Sequence, residues 1–254
     1  MTSGGGRQAT PVARVFAALL AAASLACGAP AAAAELHVLA ASWQPAFCET
    51  RPQKPECTTQ TDDRLDATSF SLHGLWPQPI DNVYCGVPPD LRAADEAGRW
   101  QALPPLELGG PTRETLDRVM PGSASLLDRH EWVKHGTCHA ETPETYYRNS
   151  LRLMEELNAS PVRALFAESI GSPLSGRAIR ESFDAVFGEG AGDRVHVICR
   201  RVGARRLIVE LKINLGGAIT PERDLATLLL DAPRAFRGCD AGIVDRVGIG
   251  MGDP

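Results

Sequence analysis

The sequence predicts an α+β fold in one domain, and three observations support the prediction. Segments rich in apolar residues, with the composition of strands, lie near both ends of the chain at residues 35–43 and 194–215. Segments with helical spacing lie between them, over residues 123–187. No internal repeat and no low-complexity linker divides residues 35–254. Helices grouped between strand-rich ends favour an α+β domain, because each kind of element must bury its apolar face against the other.

Residues 1–34 have the pattern of a secretory signal peptide. Two arginines precede an apolar run at residues 15–26, and small residues follow before Glu35. The run is too short to cross a bilayer, and no later stretch is long enough to do so. Cys27 raises the alternative of a lipidated protein, which the residues before it do not favour. We therefore expect an exported mature chain with no membrane segment, in the periplasm or outside the cell.

The charge of the mature chain limits how it can bind nucleic acid. All 31 acidic residues and all but two of the 26 basic residues lie after residue 34, which gives a net charge near −7. Non-specific nucleic-acid binding normally needs a basic surface. Any nucleic acid must therefore be held by a local site.

Six cysteines remain after the leader. An even number in an exported protein is typical of disulfide bonds. Their spacings match no zinc ribbon, and composition alone does not select among the possible pairings.

The predicted elements follow in chain order. Residues 35–43 are apolar or small and end in Trp43, which indicates a strand. Residues 78–112 are rich in proline and glycine and predict a long loop with at most a short helix. A loop of that length in a compact domain is more often functional than idle. A helix is predicted over residues 123–135.

The next helix has a clear beginning. Thr142 can cap it, Pro143 suits its first position, and Glu144 lies near its positive end. Its apolar stripe, which we interpret as core, contains Tyr147, Leu151, Met154 and Leu157.

The last elements return to strands. A helix is predicted over residues 175–187, ending before Gly188. Strands are predicted over residues 194–201 and 206–215, with a hairpin turn at residues 203–205.

Residues 130–138, with the sequence HEWVKHGTC, place four ionisable side chains on one side of a helix. These share an arc of roughly 140° on a helical wheel: His130, Glu131, Lys134 and His135. Trp132 and Val133 point the other way, and Gly136 is suited to end the helix in a left-handed conformation. The sequence has only three lysines against 23 arginines. We therefore interpret the lysine inside this cluster as more than an incidental positive charge. Taken alone, such a turn is usually a solvated mixed-charge face.

A second motif, FSLHGLWP at residues 70–77, precedes the first one. The two segments, in this order, resemble the two signature segments of the ribonuclease T2 family. Residues 42–48 and 195–199 are similar to the family's first strand and to a late core strand. The resemblance covers most of the mature chain. It implies a central, mainly antiparallel sheet packed by several helices and stapled by disulfides.

The resemblance implies a metal-independent endoribonuclease that cleaves single-stranded RNA with low base specificity and needs no cofactor. In the family, a ribose 2′-OH attacks its own 3′ phosphate and leaves a 2′,3′-cyclic phosphate and a free 5′-OH. The reaction requires a base, an acid, and cations for the phosphorane. Imidazole suits the first two roles, because its ordinary pKa of about 6.5 lies near the working pH.

Carried over residue by residue, the resemblance makes His135 the base and His73 the acid, although the two roles could be reversed. Lys134 and Glu131 would stabilise and orient the phosphorane, and His130 would bind the phosphate. The other histidines lie in strands or outside the arc and are interpreted as structural: His37, His139 and His196.

The resemblance also implies residues for base binding and disulfide pairs. Trp76 and Tyr84 are similar to positions whose rings stack on a nucleobase, although Trp76 fits a core position nearly as well. Gln78 stands where some members have an acidic residue that bonds the base, and it carries no charge. The implied disulfide pairs are Cys48–Cys57, Cys85–Cys138 and Cys199–Cys239. The second pair would hold the two motifs in register.

Two other functions are open to comparison. The first is a metallohydrolase. The HExxxH segment of this chain has one residue more than a zinc-binding HExxH helix, so its two histidines lie about 140° apart and not on one face. His135 and His139 have i,i+4 spacing, but Gly136 between them weakens a continuous helix. In a catalytically silent binding or toxin-like protein of the same fold, the full set of expected side chains would be unexplained. We therefore predict an enzyme that acts on RNA and binds no metal. We also expect it to be a monomer.

Overall fold

A computed structural model describes four parts of the chain: residues 1–7, 35–140, 142–248 and 250. The chain divides into two units, residues 1–33 and 34–254. The seven described residues of the first unit form neither helix nor strand. The apolar run of the predicted signal peptide and Cys27 lie outside the described residues. Within the described part of the chain, no helix is long and apolar enough to cross a membrane.

The second unit is built on a six-stranded sheet. Its strands are β1 (Leu36–Ser42), β2 (Ser71–Pro77), β3 (Pro173–Ser175), β4 (Val195–Val202), β5 (Arg205–Gly216) and β6 (Ala241–Ile243). The order is β2-β1-β5-β6-β3, and β4 pairs with β5 along the edge opposite β1. All pairings are antiparallel except the short contact of β5 with β6. The predicted α+β fold with a mainly antiparallel sheet is confirmed.

The described residues also form nine α-helices. They are α1 (Gln44–Thr50), α2 (Pro55–Thr58), α3 (Pro89–Glu96), α4 (Gly110–Val119), α5 (Leu127–Lys134), α6 (Pro143–Asn158), α7 (Pro161–Glu168), α8 (Gly176–Phe187) and α9 (Leu225–Leu230). Six of them have proline at the first or second position: α1, α2, α3, α4, α6 and α7. Proline suits the first turn, because the N–H that it lacks has no partner within the helix. The segment at residues 78–112 is mostly without regular structure, as predicted, but it contains the short helix α3, a 3-10 turn and the start of α4.

Helix α5 is shorter than the helix predicted over residues 123–135. A 3-10 turn at Pro121–Ser125 precedes it, and Leu126 between them has a φ of 63°. A left-handed residue cannot continue a right-handed helix, so α5 begins only at the next residue. The left-handed end predicted at Gly136 is also wrong, because this residue begins a 3-10 turn and has no positive φ. A Cβ at Gly136 would overlap the ring of Trp132, so the glycine is needed for packing.

Other predicted elements agree closely with the structure. The hydroxyl of Thr142 accepts a hydrogen bond from the backbone N–H of Thr145 and caps α6. All four residues of the α6 stripe are buried. Helix α8 ends at Phe187, as predicted, and Gly188 after it has a φ of 106°. Strands β4 and β5 form the predicted hairpin.

The two faces of the sheet differ in polarity. In β5, Leu211, Ile213 and Leu215 are buried in the core that the helices share. Glu210, Lys212 and Asn214 alternate with them and therefore lie on the opposite face. In the central strand β5, the polar side chains at residues 210–214 therefore lie on only one face of the sheet.

Three disulfides are present: Cys48–Cys57, Cys85–Cys138 and Cys199–Cys239. They are the pairs that the family resemblance implied. The second joins the segment after β2 to the turn after α5, across 53 residues of sequence.

Candidate active site

His73 projects from a bulge in β2. Ala40 of β1 pairs with Gly74, and Ala41 pairs with Leu72, so His73 between them has no partner on β1. A bulge re-aims the side chain of its extra residue, and bulges are frequent beside active sites. The HGLW motif therefore owes its conformation to a local departure from strand pairing.

The imidazole of His73 lies between two carboxylates. Its Nδ1 is 2.6 Å from Oε2 of Glu210, and its Nε2 is 3.7 Å from Oε1 of Glu131. Burial alone would lower the pKa of His73. The hydrogen bond to Glu210 and the charges of both carboxylates outweigh burial and raise that pKa. The side chain keeps 36% of its surface exposed, so a protonated imidazole remains accessible to substrate.

Glu131 is the buried centre of the cluster, with 1% exposure. Its Oε2 accepts a hydrogen bond of 2.8 Å from the indole N–H of Trp76, and its Oε1 lies 3.8 Å from Nε2 of His130. Burial raises its pKa, against the lowering effect of the positive groups around it. A Cβ at residue 74 would overlap the Glu131 carboxylate. The glycine after His73 therefore leaves room for Glu131 from α5.

His135 directly follows α5 and is buried. Burial lowers its pKa to about 3, and the positive charges of Lys134, His130 and His73 contribute in the same direction. Within the described part of the chain, its Nδ1 is buried without a hydrogen-bond partner. His135 is therefore a neutral imidazole near neutral pH.

His130 is held by residues from the segment that was predicted to be a loop. Its Nδ1 lies 2.8 Å from Oδ1 of Asp95 in α3, and its ring stacks on Trp100 at 4.7 Å between centroids. Asp95 also accepts a hydrogen bond of 2.8 Å from the hydroxyl of Tyr84. The backbone N–H of Tyr84 in turn donates to the carbonyl of Lys134. Residues 78–112 thus position α5, and this explains why the segment is long.

A second lysine reaches the cluster from β5. Nζ of Lys212 lies 3.9 Å from Oε1 of Glu210 and 4.8 Å from the centroid of the Trp76 ring. Four residues of the site were not predicted from the sequence: Lys212, Glu210, Asp95 and Trp100. A signal for the first two was present, because polar residues at 210, 212 and 214 alternate with apolar ones and mark one face of a strand. Asp95 and Trp100 had no comparable pattern.

The residues predicted to bind bases are placed differently from one another. Trp76 is only 8% exposed, and its ring contacts His73 and His135. The ring has little free surface for stacking on a base, so the core interpretation fits it better. Gln78 is half-buried and donates to the carbonyls of Trp76 and Pro77. Tyr84 is also half-buried, with its hydroxyl bonded to Asp95.

A cavity of about 220 Å³ opens beside His73. Its walls are mainly apolar and include Phe47, Leu72, Trp100 and Leu127, with Lys54 at the same cavity. The ammonium of Lys54 lies 5.0 Å above the Trp100 ring. An apolar pocket with a few polar groups next to reactive side chains suits a planar organic group.

The histidines interpreted as structural have other partners than the Glu131 and Glu210 carboxylates that flank His73. His139 and His37 are hydrogen-bonded to each other, with Nδ1 and Nε2 3.0 Å apart, and His196 lies on β4. In the described residues, no group of three or more histidine, cysteine, aspartate or glutamate side chains is arranged to hold a metal ion.

The profile of the Ribonuclease T2 family matches residues 34–221. The chain belongs to the ribonuclease T2 family. It is 29% identical over 213 residues to Ribonuclease I of Escherichia coli (strain K12), covering 70% of this chain and 74% of that protein. It is 28% identical over 167 residues to Ribonuclease 1 of Arabidopsis thaliana, covering 64% and 66% of the two chains.

Solved structures show the same fold. RNase NT in complex with 5′-AMP aligns with a TM-score of 0.52 and 18% identity, covering 82% of this chain and 96% of that one. A variant of ribonuclease MC1 aligns with a TM-score of 0.51 and 18% identity, covering 82% and 99%. As a member of the ribonuclease T2 family, the protein is an endoribonuclease that cleaves RNA through a 2′,3′-cyclic phosphate.

Proposed function

We propose that this endoribonuclease uses His135 as the base for the 2′-OH and His73 as the acid for the leaving 5′ oxygen. The observation that supports the assignment is the opposite displacement of the two pKa values, raised for His73 and lowered to about 3 for His135. At a pH between them, His135 is neutral and His73 is protonated in the same molecule. That is the state in which one group can accept a proton while the other donates one. The reverse assignment would require a rarely populated protonation state.

Cations on both sides of the cluster stabilise the phosphorane in this proposal. Lys134 comes from α5 and acts on His135, and Lys212 comes from β5 and acts on His73. His130 is oriented by Asp95 and binds a phosphate oxygen. Glu131, buried between His73 and His130, orients both rings. Fixed charges aimed at a phosphorane need no reorganisation during the reaction, so no metal ion is required.

The substrate in this proposal is single-stranded RNA, because a base must leave its stack to enter the cavity beside His73. Since His73 protonates the leaving oxygen, that base belongs to the leaving nucleoside. Phe47 and Leu127 line the cavity with apolar groups that do not distinguish one base edge from another. Tyr84 and Gln78 remain candidates for contacts with the base on the other side of the phosphate. We therefore expect low base specificity.

The protein acts as an exported monomer in this proposal, in the periplasm or outside the cell. Residues 1–34 have the sequence pattern of a signal peptide, and three disulfides fit an oxidising compartment. One chain supplies the acid, the base and the cations. The site is therefore complete without a partner.

The proposal is tested with RNA strands that contain one 2′-deoxy nucleotide. Cleavage should stop only at the linkage 3′ to that nucleotide, because only there is the nucleophile missing. The first products should end in 2′,3′-cyclic phosphate, and cleavage should continue in millimolar EDTA. Cleavage at the deoxy position, or 5′-phosphate ends, would show that water is the nucleophile and that His135 is wrongly assigned. Activity lost in EDTA and restored by Zn²⁺ or Mg²⁺ would favour a metallohydrolase.

A further inference from the structure

A row of paired residues leads from the active site across the sheet to β4. Residues 74, 40, 212 and 196 are aligned in the register of β2, β1, β5 and β4. Directly paired residues share one face of a sheet, and neighbouring strands lie about 4.8 Å apart. His196 therefore lies roughly 14 Å from Gly74, on the face that carries Lys212. The row ends where the ring of His196 contacts Phe236 edge-to-face, 5.3 Å between centroids.

Phe236 is exposed between two exposed arginines. The ring is 78% exposed, and the side chains of Arg234 and Arg237 are 80% and 74% exposed. We call these three residues the edge patch. Asp193 lies 3.3 Å from Arg234 and 3.7 Å from Arg237, so the patch keeps one net positive charge. Apart from its edge-to-face contact with His196, the Phe236 side chain lies in solvent, so the ring is free to stack on a ligand.

The segment that carries the edge patch is fixed to β4 by its backbone. The N–H of Val197 donates to the carbonyl of Arg237, and the N–H of Cys239 donates to the carbonyl of Val197. Gly238 has a φ of 79°, and a Cβ there would overlap the Val197 carbonyl and crowd the ring of His196. The Cys199–Cys239 disulfide closes the same region. The patch is therefore held in place without burying the side chains of Phe236 and its neighbours.

We propose that the edge patch is an additional RNA subsite, which binds nucleotides beyond the two that flank the scissile phosphate. Phe236 stacks on a base, and Arg234 and Arg237 contact phosphates. An aromatic ring beside basic side chains is the usual platform for single-stranded nucleic acid. The mature chain is acidic, so RNA depends on such local sites. A protein partner fits less well, because a specific protein interface needs a far larger surface than one ring and two guanidinium groups.

The proposal rests on the proposed function, because the row starts at Gly74, next to His73, the proposed acid. The test therefore uses two kinds of substrate. The first is a dinucleoside monophosphate, UpA, which reaches only the active site. The second is a set of 12-nucleotide RNAs with a single cleavable linkage. The ribose on the 5′ side of that linkage keeps its 2′-OH, and all the remaining riboses are 2′-O-methylated. The additional nucleotides lie either 5′ or 3′ of that linkage.

Two variants remove the edge patch, and a third is a control. Phe236→Ala, and Arg234→Gln with Arg237→Gln, should each lower kcat/KM on one of the two extended substrates by about 10-fold, mainly through KM. The double arginine variant should also reduce the salt dependence of kcat/KM on that substrate. UpA cleavage should stay unchanged. The control is Arg118→Gln with Arg148→Gln, which removes the same charge from exposed positions of α4 and α6 and should alter neither substrate.

Each possible outcome decides the proposal. Unchanged cleavage of both extended substrates by the Phe236 and arginine variants would overturn the subsite and would leave the patch for another ligand, such as a protein. An equal loss on UpA and on the extended substrates would also overturn it, since the patch would then act through the active site. Failure of the unaltered protein to cleave UpA would instead contradict the assignment of the active site itself.

Discussion

At the residue scale, the two catalytic candidates are the same amino acid in opposite electrostatic surroundings. His73 lies between Glu131 and Glu210, and their negative charge raises its pKa in spite of burial. His135 is buried and has Lys134 beside it, so its pKa is lowered to about 3. The difference comes from neighbours in two elements, α5 and β5. Changing a neighbour should therefore move one limb of the pH profile and leave the other in place.

Lys134→Met should move the acidic limb of kcat/KM to higher pH. Removal of the positive charge favours the protonated form of His135, so its pKa rises above about 3. A base must be neutral to act, and the rate then begins to fall at a higher pH. The measurement is a pH profile of kcat/KM on a dinucleoside monophosphate, with Arg118→Met as an exposed cation of α4 for control. An acidic limb that stays in place would mean that it reports a different group.

Glu210→Gln should move the alkaline limb to lower pH. The hydrogen bond and charge of Glu210 favour protonated His73, and their loss lowers the pKa of that imidazole. An acid must be protonated to act, so activity is lost sooner as the pH rises. The control is Asn214→Ala on the same face of β5. Equal loss of rate at every pH, with no shift of the limb, would show that Glu210 has only a structural role.

At the element scale, a close contact holds the end of α5 against the turn that follows it. Trp132 is half-buried and packs against the core, where it contacts Tyr146. The ring also fills the space that a Cβ at Gly136 would need. Since His135 lies between them in sequence, this contact fixes the turn that carries the proposed base. The spacing of motif residues is thus a packing requirement as well as a catalytic one.

Gly136→Ala should destabilise the protein, although glycine-to-alanine changes often stabilise helices. The new methyl group would overlap the Trp132 ring, and overpacking of this kind costs about 1–3 kcal/mol. Trp132→Ala alone should cost about 2–4 kcal/mol, less than for a fully buried ring. The double variant should be more stable than the sum of the single effects predicts, because the overlap is gone. Strict additivity in urea unfolding would contradict the contact.

At the scale of the whole molecule, links distant in sequence hold the active site together. The Cys85–Cys138 bond joins the segment after β2 to the turn after α5. Residues 37 and 139 join the start of β1 to the same turn through a hydrogen bond between two histidines. Burial lowers the pKa of His37 to about 3 and that of His139 to about 4. One link is sensitive to reduction and the other to acid.

Mild reduction should open Cys85–Cys138 before the other disulfides. Cys85 is exposed, whereas both sulfurs of Cys48–Cys57 belong to buried residues. RNA cleavage should fall before the far-ultraviolet circular dichroism changes, because the turn that carries His135 loses its fixed position first. Alkylation and peptide mapping after partial reduction identify the bond that opened. Full activity in protein with only this bond reduced would contradict its role.

The free energy of unfolding should decrease as the pH is lowered from about 6.5 to 4, in part through His37 and His139. In that window an unfolded histidine binds a proton, whereas the buried pair stays neutral because its pKa values are lower. Acid therefore favours unfolding, by up to about 1.4 kcal/mol per pH unit for each histidine. His139→Asn should lower stability at pH 7, yet make its decline with falling pH shallower. The free energy of urea unfolding across this range gives the slope, and an unchanged slope would exclude the pair as the cause.

The sequence alone determined the class of fold, the two motifs and the family. Apolar periodicity revealed α6, α8 and the last hairpin, because those elements bury one regular face in the core. It did not reveal the short helices, because proline marks a helix start as readily as a loop. Residues 70–77 and 130–138 carry the resemblance from which the proposed acid, base and cation are taken.

Only the tertiary structure decided how those groups are tuned and supported. Asp95, Glu210 and Lys212 come from elements far apart in sequence, and no local pattern links them to a histidine. The bulge at His73 depends on pairing with β1, and the opposite pKa shifts depend on burial and on charges carried by other elements of the fold. Residue identity can be read along one dimension. Distance and burial, which set the free energy of a charge, exist only in the folded chain.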